Sequence, residues 1–394
     1  MRNNTLFFHI TVLLIALLFV SCRQDEPILL PEVVPTTQPE VAPTTQPEYT
    51  NITGFYLLNE GNMGSNKATL DYMNYGEGKY HRNIFAKANP SQVKEMGDVG
   101  NDLGIYGNKL WCVINCSNKI DVLDKNTAVK VGQVDVPNCR FIKFSGGYAY
   151  VTSYAGPVTI DPNYKQRGYV AKIDTATLQV VDTCVVGFQP DGLDIVNGKI
   201  YVANSGGYMV PNYENTLSVI DLASFKQEKR LPVAINLNLV MSDHHGVLWI
   251  SSRGDYYSVP SKLYAYDTRK QQLVDSLDVR VGNMWLDGDS LYIVASEWSY
   301  VTMSNTPSYT IVDVATHQVV TRNFITDGTD KSIKMPYGIA VNALTKDIYV
   351  TDARDYVTPG RLYCFGRDGV KKWDVRTGDI PAHFAFLGEN INEQ

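Results

Sequence analysis

A chain of 394 residues with a formal net charge of −6, 44% hydrophobic and 11% aromatic residues has the composition of a globular protein rather than a disordered or fibrous one. The acidic balance argues against a nucleic-acid partner, which needs clustered Lys and Arg to neutralise phosphates. Twenty-five tyrosines suit β-sheets and wet binding surfaces alike, so their number decides nothing between the two.

The chain opens with one Arg in residues 1–4, then an apolar run from Leu6 to Val20 broken only by His9 and Thr11, then Ser21 and Cys22. A basic start, an apolar stretch too short to span a bilayer stably and a small residue before the break describe an export signal, residues 1–21. A Cys directly after that small residue is the lipoprotein variant, in which the Cys22 thiol is lipidated and becomes the new N-terminus; Phe19 stands where Leu is usual. Residues 31–38 (PEVVPTTQ) and 39–46 (PEVAPTTQ) then repeat almost identically. Such sequence lacks apolar surface to bury and favours extended polyproline II, so residues 22–50 are expected to form a tether.

From residue 51 to the end, one pattern recurs: a small or apolar residue, an aromatic, then β-branched or apolar residues. The shared aromatic falls at Tyr56, Trp111, Tyr150, Tyr201, Trp249, Tyr292 and Tyr349, on average about 49 residues apart. Turn residues precede most copies (Gly107-Asn108, Gly146-Gly147, Asn197-Gly198, Gly288-Asp289), as in hairpins. A strand lies before each such turn, and a third strand ending in Asp124, Asp174, Asp221, Asp267 or Asp313 follows, with a fourth beyond it. Four antiparallel strands per unit make a propeller blade. The tail from Asp379 to Leu387 reads as an innermost strand with nothing behind it, and the first repeat lacks that strand. The expectation is an all-β, seven-bladed β-propeller closed by pairing of its N-terminal and C-terminal strands, which removes open edges.

Propeller topology brings two sets of loops to one face. Entering the innermost strands are Asn101, Asp102, Arg140, Trp285, Tyr337 and His383; leaving the second strands are Tyr154, Tyr208, Arg253, Tyr256, Tyr257, Trp298, Tyr300, Arg354 and Tyr356. Aromatics interleaved with Asn, Asp and Arg suit a large, flat, amide-rich ligand, through stacking and hydrogen bonds together. Packing of long loops against one another would use the same residues.

Chemistry is sparse. There is no CxxC, HExxH or GxSxG, so neither a zinc site nor a catalytic residue is expected, and no cofactor. The pair His244-His245 reads as a solvated turn. Asp102, Asp191 and His383 are the groups a metal-dependent lyase or lactonase would use. Cys112, Cys116, Cys139, Cys184 and Cys364 are odd in number; Cys116 and Cys139 fall on one rim and could bridge, and the others read as small buried hydrophobes.

The stretches PDGLDIVNGKIYVAN (190–204) and NTLSVID (215–221) resemble the YncE-like/DUF5074 seven-bladed propellers, over about residues 51–390. With Cys22 and the acids Asp25 and Glu26 behind it, which resemble the export signal of Bacteroidetes surface lipoproteins, the chain looks most like the BtuG lipoproteins of gut Bacteroidetes. That resemblance implies a cell-surface, outer-membrane, lipid-anchored protein, not an enzyme, that captures vitamin B12 (cobalamin, a corrinoid) and passes it to a BtuB-like TonB-dependent transporter. Other ligands of similar size, such as a glycan, would want a similar face.

Overall fold

The computed structural model describes residues 26–27, 48–299 and 303–390; the apolar run 6–20, Cys22 and the repeats at 31–46 lie outside them. Seven antiparallel sheets are present, and the chain passes through them in order. Blade 1 is the closing blade. Its innermost strand is Pro381–Asn390, paired with Tyr49–Asn59, which in turn pairs with Thr69–Asn74 and then Lys79–His81. In the segment assigned to the tether, Glu26 and Pro27 pair with Tyr80 and Lys79 at the outer edge. Blades 2 to 7 begin with the innermost strands Gly100–Tyr106, Cys139–Ser145, Pro190–Val196, Leu237–Ser242, Asn283–Asp287 and Pro336–Val341. The chain is thus a seven-bladed propeller whose ends close the ring, as the split first repeat requires. Among the described residues no helix is long and apolar enough to cross a membrane.

The seven repeat aromatics sit at matching places in the second strands, and none is more than 8% exposed. Seven apolar clusters each fill the wedge between two adjacent blades, from Tyr56, Leu110 and Cys112 between blades 1 and 2 round to Phe55, Tyr349 and Phe386 between blades 7 and 1. A blade therefore buries both its faces against neighbours, which explains why its central strands carry apolar residues without strict alternation. All five cysteines of the domain are free. No Cys116–Cys139 bridge forms: the Cys139 thiol sits in the wedge near the Ile114 and Lys119 carbonyls, and burial pushes its pKa up to about 12.

The third-strand acids have a local role. Each carboxylate accepts the backbone N–H three residues on: Asp124 from Thr127 at 3.0 Å, Asp174 from Thr177 at 2.8 Å, Asp221 from Ser224 at 2.8 Å, Asp267 from Lys270 at 2.9 Å and Asp313 from Thr316 at 2.8 Å. These Asx turns hold the hairpin to the outer strand. They also hold the carboxyls below their ordinary pKa, led by the Thr127 hydroxyl for Asp124, the Lys199 ammonium for Asp221 and the backbone amides for the other three. A group depressed on folding adds stability above its unfolded pKa and loses it as pH falls through the folded value. Buried Asp71 and half-buried Asp102 and Asp287 are raised by desolvation and act the other way, but they are fewer. The melting temperature should therefore stay level from neutral pH to about 5 and fall steadily below about pH 4, where free carboxyls protonate. A melting temperature that holds or rises between those acid values would contradict the turn assignment.

Candidate ligand channel

The innermost strands enclose a channel of about 1280 Å³ that runs the height of the ring. At the end where these strands begin, the register with the second strand slips in blades 1, 2, 3, 4, 5 and 7. Such bulges re-aim side chains. In blades 3, 5 and 7 a second-strand hydroxyl fills the gap: Thr152 accepts from the Phe141 N–H at 3.0 Å, Ser251 from Leu239 at 2.9 Å and Thr351 from Gly338 at 2.6 Å. The approach is also constrained, with Val99, Asn138, Gln189, Asn236 and Ile380 at φ of 59°, 44°, 46°, 52° and 54°. Non-glycine residues in this region are uncommon and strained, and here they recur where the chain turns into the channel.

Two polar clusters result. In the first, Asp191 is fully buried between two guanidiniums, with Arg140 Nε at 3.0 Å and Arg253 Nη1 at 2.8 Å. Tyr154 donates its hydroxyl to Asp191 at 2.7 Å and lies under the Arg140 guanidinium, 4.9 Å from ring centroid to Cζ. Burial alone would raise the Asp191 pKa, but Arg140 and Arg253, with Tyr154, hold it below the ordinary carboxylate range. One carboxylate against two guanidiniums leaves a positive charge at the channel wall. Asn101 donates to the Arg140 carbonyl at 2.8 Å, bracing the same residue. Asn238, also in the channel wall and 5% exposed, has a buried Oδ1 with no hydrogen-bond partner among the described residues.

The second cluster lies where blade 1 meets blade 7. Glu60 accepts from the Tyr337 hydroxyl at 2.8 Å and meets His383 Nε2 at 3.0 Å, and Tyr356 packs edge-on against Tyr337 at 5.9 Å. Burial and the Glu60 charge raise the Tyr337 pKa well above normal, so the phenol stays a donor. Asp102 accepts from the Leu103 and Ile142 N–H groups, both at 2.8 Å, and so ties blade 2 to blade 3. Trp285 faces the channel lower down, edge-on to Phe386 at 5.7 Å.

Ten of the fifteen residues singled out from sequence therefore line the channel: Asn101, Asp102, Arg140, Arg253, Tyr256, Tyr257, Trp285, Tyr337, Tyr356 and His383. Five do not. Tyr154 is buried behind Arg140 and acts through it. Tyr208 is half-buried beside Tyr154, away from the lining. Arg354 lines a shallow surface hollow between blades 6 and 7. Trp298 is not in a loop, because the hairpin Ser290–Ser299/Ser304–Asp313 runs on as paired strand through it; Tyr300 lies outside the described residues. Glu60 and Asn238 hold rim positions of the same repeat but are not among the fifteen; the bond of Glu60 to Tyr337 and His383 depends on side chains of different strands, which the repeat does not convey.

The arrangement offers fixed donors, two guanidiniums that share one carboxylate, and aromatic faces, of which Tyr256 and Tyr257 are 58% and 81% exposed. Among solved structures, hydrazine synthase of Kuenenia stuttgartiensis is similar, with a TM-score of 0.55 and 16% identity, covering 68% of this chain and 77% of that one. At that identity the likeness speaks to the fold alone. No curated protein matches. The family described as "Domain of unknown function (DUF5074)" matches residues 53–365, from the second strand of blade 1 to the third strand of blade 7. The chain belongs to the DUF5074 family.

Proposed function

We propose that this protein is a surface-tethered binding protein that captures a corrinoid, cobalamin, at the mouth of its channel without altering it chemically, and hands it to an outer-membrane TonB-dependent transporter. The observation that carries the reading is the channel itself. Drug-sized ligands occupy pockets of roughly 300–1,000 Å³, and this one, at about 1280 Å³, is larger. Its wall presents what an amide-fringed, phosphate-bearing macrocycle would use. Arg140 and Arg253 suit amide carbonyls and an anionic phosphate, and Tyr256, Tyr257, Tyr356 and Trp285 suit the rim and a heteroaromatic base. Lipidation at Cys22 and the Pro/Thr tether would place that mouth off the membrane, within reach of a transporter.

Equilibrium binding of cyanocobalamin to the full chain carrying Cys22→Ala is the first test. Trp285→Ala is expected to weaken binding by about 2 kcal/mol, roughly thirty-fold, as truncation of an aromatic hot spot does, with the melting temperature kept within a few degrees. Wild-type protein that ignores cyanocobalamin would end the corrinoid reading; binding of a glycan instead would redirect it, and recovery of an altered ligand would favour a lyase or lactonase. Anchoring is tested in cells: Cys22→Ala should move the protein from the membrane fraction to the soluble one. Wash-resistant membrane association of that variant would refute the lipid anchor.

A further inference from the structure

We propose that His244, His245 and Asp289, on the face of the ring opposite the channel mouth, form a binding site for a divalent transition-metal cation of the zinc class, which staples blade 5 to blade 6. The pair of histidines occupies the turn between the two inner strands of blade 5, Leu237–Ser242 and Val247–Ser252; Asp289 occupies the equivalent turn of blade 6. His245 Nε2 lies 2.8 Å and His244 Nε2 3.1 Å from the same carboxylate oxygen, Asp289 Oδ1. All three donor atoms lie within 4.8 Å of one another. Tetrahedral zinc holds nitrogen and oxygen ligands at about 2.0–2.1 Å, which sets them about 3.3 Å apart. The three atoms need only small adjustment to reach that spacing.

Two imidazoles and a carboxylate are a donor set for zinc, nickel or copper rather than calcium or magnesium, which prefer all-oxygen shells. Three protein ligands on a partly exposed turn leave a fourth position open to water.

The backbone that carries the donors is also held in place. Asp243 accepts the N–H of His245 and of Val247, both at 2.9 Å, and the indole N–H of Trp249 at 2.9 Å. Gly246 turns the chain at φ 80°, and its carbonyl accepts from Thr268 through N–H and hydroxyl. The Arg269 guanidinium grips the His245 carbonyl. On the other side, the Asp289 carbonyl accepts the Val314 N–H at 2.9 Å. Both backbones are fixed by their own blades, so a metal shared between them couples the two blades directly. The position matters: of all the neighbouring innermost strands, those of blades 5 and 6 touch each other least.

The inference is independent of the channel reading. Tag-free full chain carrying Cys22→Ala, stripped with chelator and exchanged into buffer, should bind one equivalent of Zn²⁺ by calorimetry. Saturating Zn²⁺ should raise its melting temperature above the value in chelator. The double substitution His244→Ala/His245→Ala should weaken that site at least tenfold and abolish the thermal shift, while its melting temperature in chelator stays near the parent's. Asp289→Asn, a near-isosteric change at an exposed side chain, should weaken it in the same direction and guards against misfolding of the double variant. Co²⁺ bound at the site should give a ligand-field spectrum without a thiolate charge-transfer band. Absence of Zn²⁺ binding, equal affinity in the double variant, or a thiolate band placing the metal on a cysteine would each overturn the proposal.

Discussion

Trp249→Ala is expected to lower the unfolding free energy by about 3–5 kcal/mol, the range for removing a large aromatic from a packed core. Trp249 is 0% exposed and belongs to the wedge between blades 5 and 6 with Leu263, Leu286 and Leu291. Its indole N–H donates to Asp243 Oδ2 at 2.9 Å, and its ring meets the His317 imidazole edge-on at 5.1 Å. The equivalent residue of blade 2, Trp111, is equally buried, but its indole N–H has no partner among the described residues. The conservative change to Phe therefore separates packing from hydrogen bonding. Trp249→Phe strips the buried Asp243 carboxylate of one of its three donors, worth about 1.5–3 kcal/mol for a bond to a charged group. Trp111→Phe removes an unsatisfied donor along with some ring volume and should cost less. Denaturant midpoints at constant m-value decide it. Equal losses for the two Phe variants would show that the Asp243 bond contributes nothing.

The contrast between those two tryptophans also marks what sequence alone conveys. The shared aromatic at each second strand was legible because it repeats, and repetition with a fixed turn before it specifies register as well as strand. Closure was legible for a similar reason: an innermost strand at 381–390 without a blade, and a blade at 49–81 without that strand, have one joint solution. The acids ending the third strands were visible as a pattern, though their bond to the amide three residues on is a matter of backbone geometry. Loop residues fared differently. The repeat says which rim a loop occupies but not where a long side chain on it turns, so Arg253 reaches Asp191 while Arg354 points into a separate hollow. Tyr154 was legible as a rim tyrosine, yet its role under Arg140 depends on a contact between side chains of different strands. Trp298 was misplaced because nothing in the sequence distinguishes a long loop from a hairpin that simply continues. Asp289 was legible as a turn residue, but its meeting with His244 and His245 was not, because 44 residues and one blade boundary separate it from His245.

Asp191→Asn should be nearly as costly as Trp249→Ala, for an electrostatic reason, and it should damage the channel at the same time. Asn keeps the size of the side chain but removes the charge that Arg140 and Arg253 share across 3.0 and 2.8 Å. Arg140 is 15% exposed and Arg253 29%, so each depends on Asp191 more than on water. Breaking a buried pair by neutralising one partner typically costs about 3–5 kcal/mol, because the other charge is left uncompensated. The partial exposure of Arg253 puts the expectation toward the lower end, about 3 kcal/mol. Removing one guanidinium should then relieve part of the loss. In a double-mutant cycle, Asp191→Asn/Arg253→Gln is expected to be more stable than the sum of the single changes implies, with a coupling of about 1–3 kcal/mol. The depressed Asp191 pKa fixes the pH dependence: in the parent this contribution is present above the unfolded carboxyl pKa and is lost as pH falls through the folded one. Stability measured at neutral pH and at about pH 3 should therefore differ less in Asp191→Asn than in the parent. On the ligand side, the freed guanidiniums should swing from the positions that Asp191 and Tyr154 enforce, and affinity for a ligand held by Arg140 and Arg253 should drop together with stability. Additive single and double variants would mean that Asp191 and Arg253 are not coupled; the two arginines would then have to be placed at the channel wall by packing rather than by the shared carboxylate.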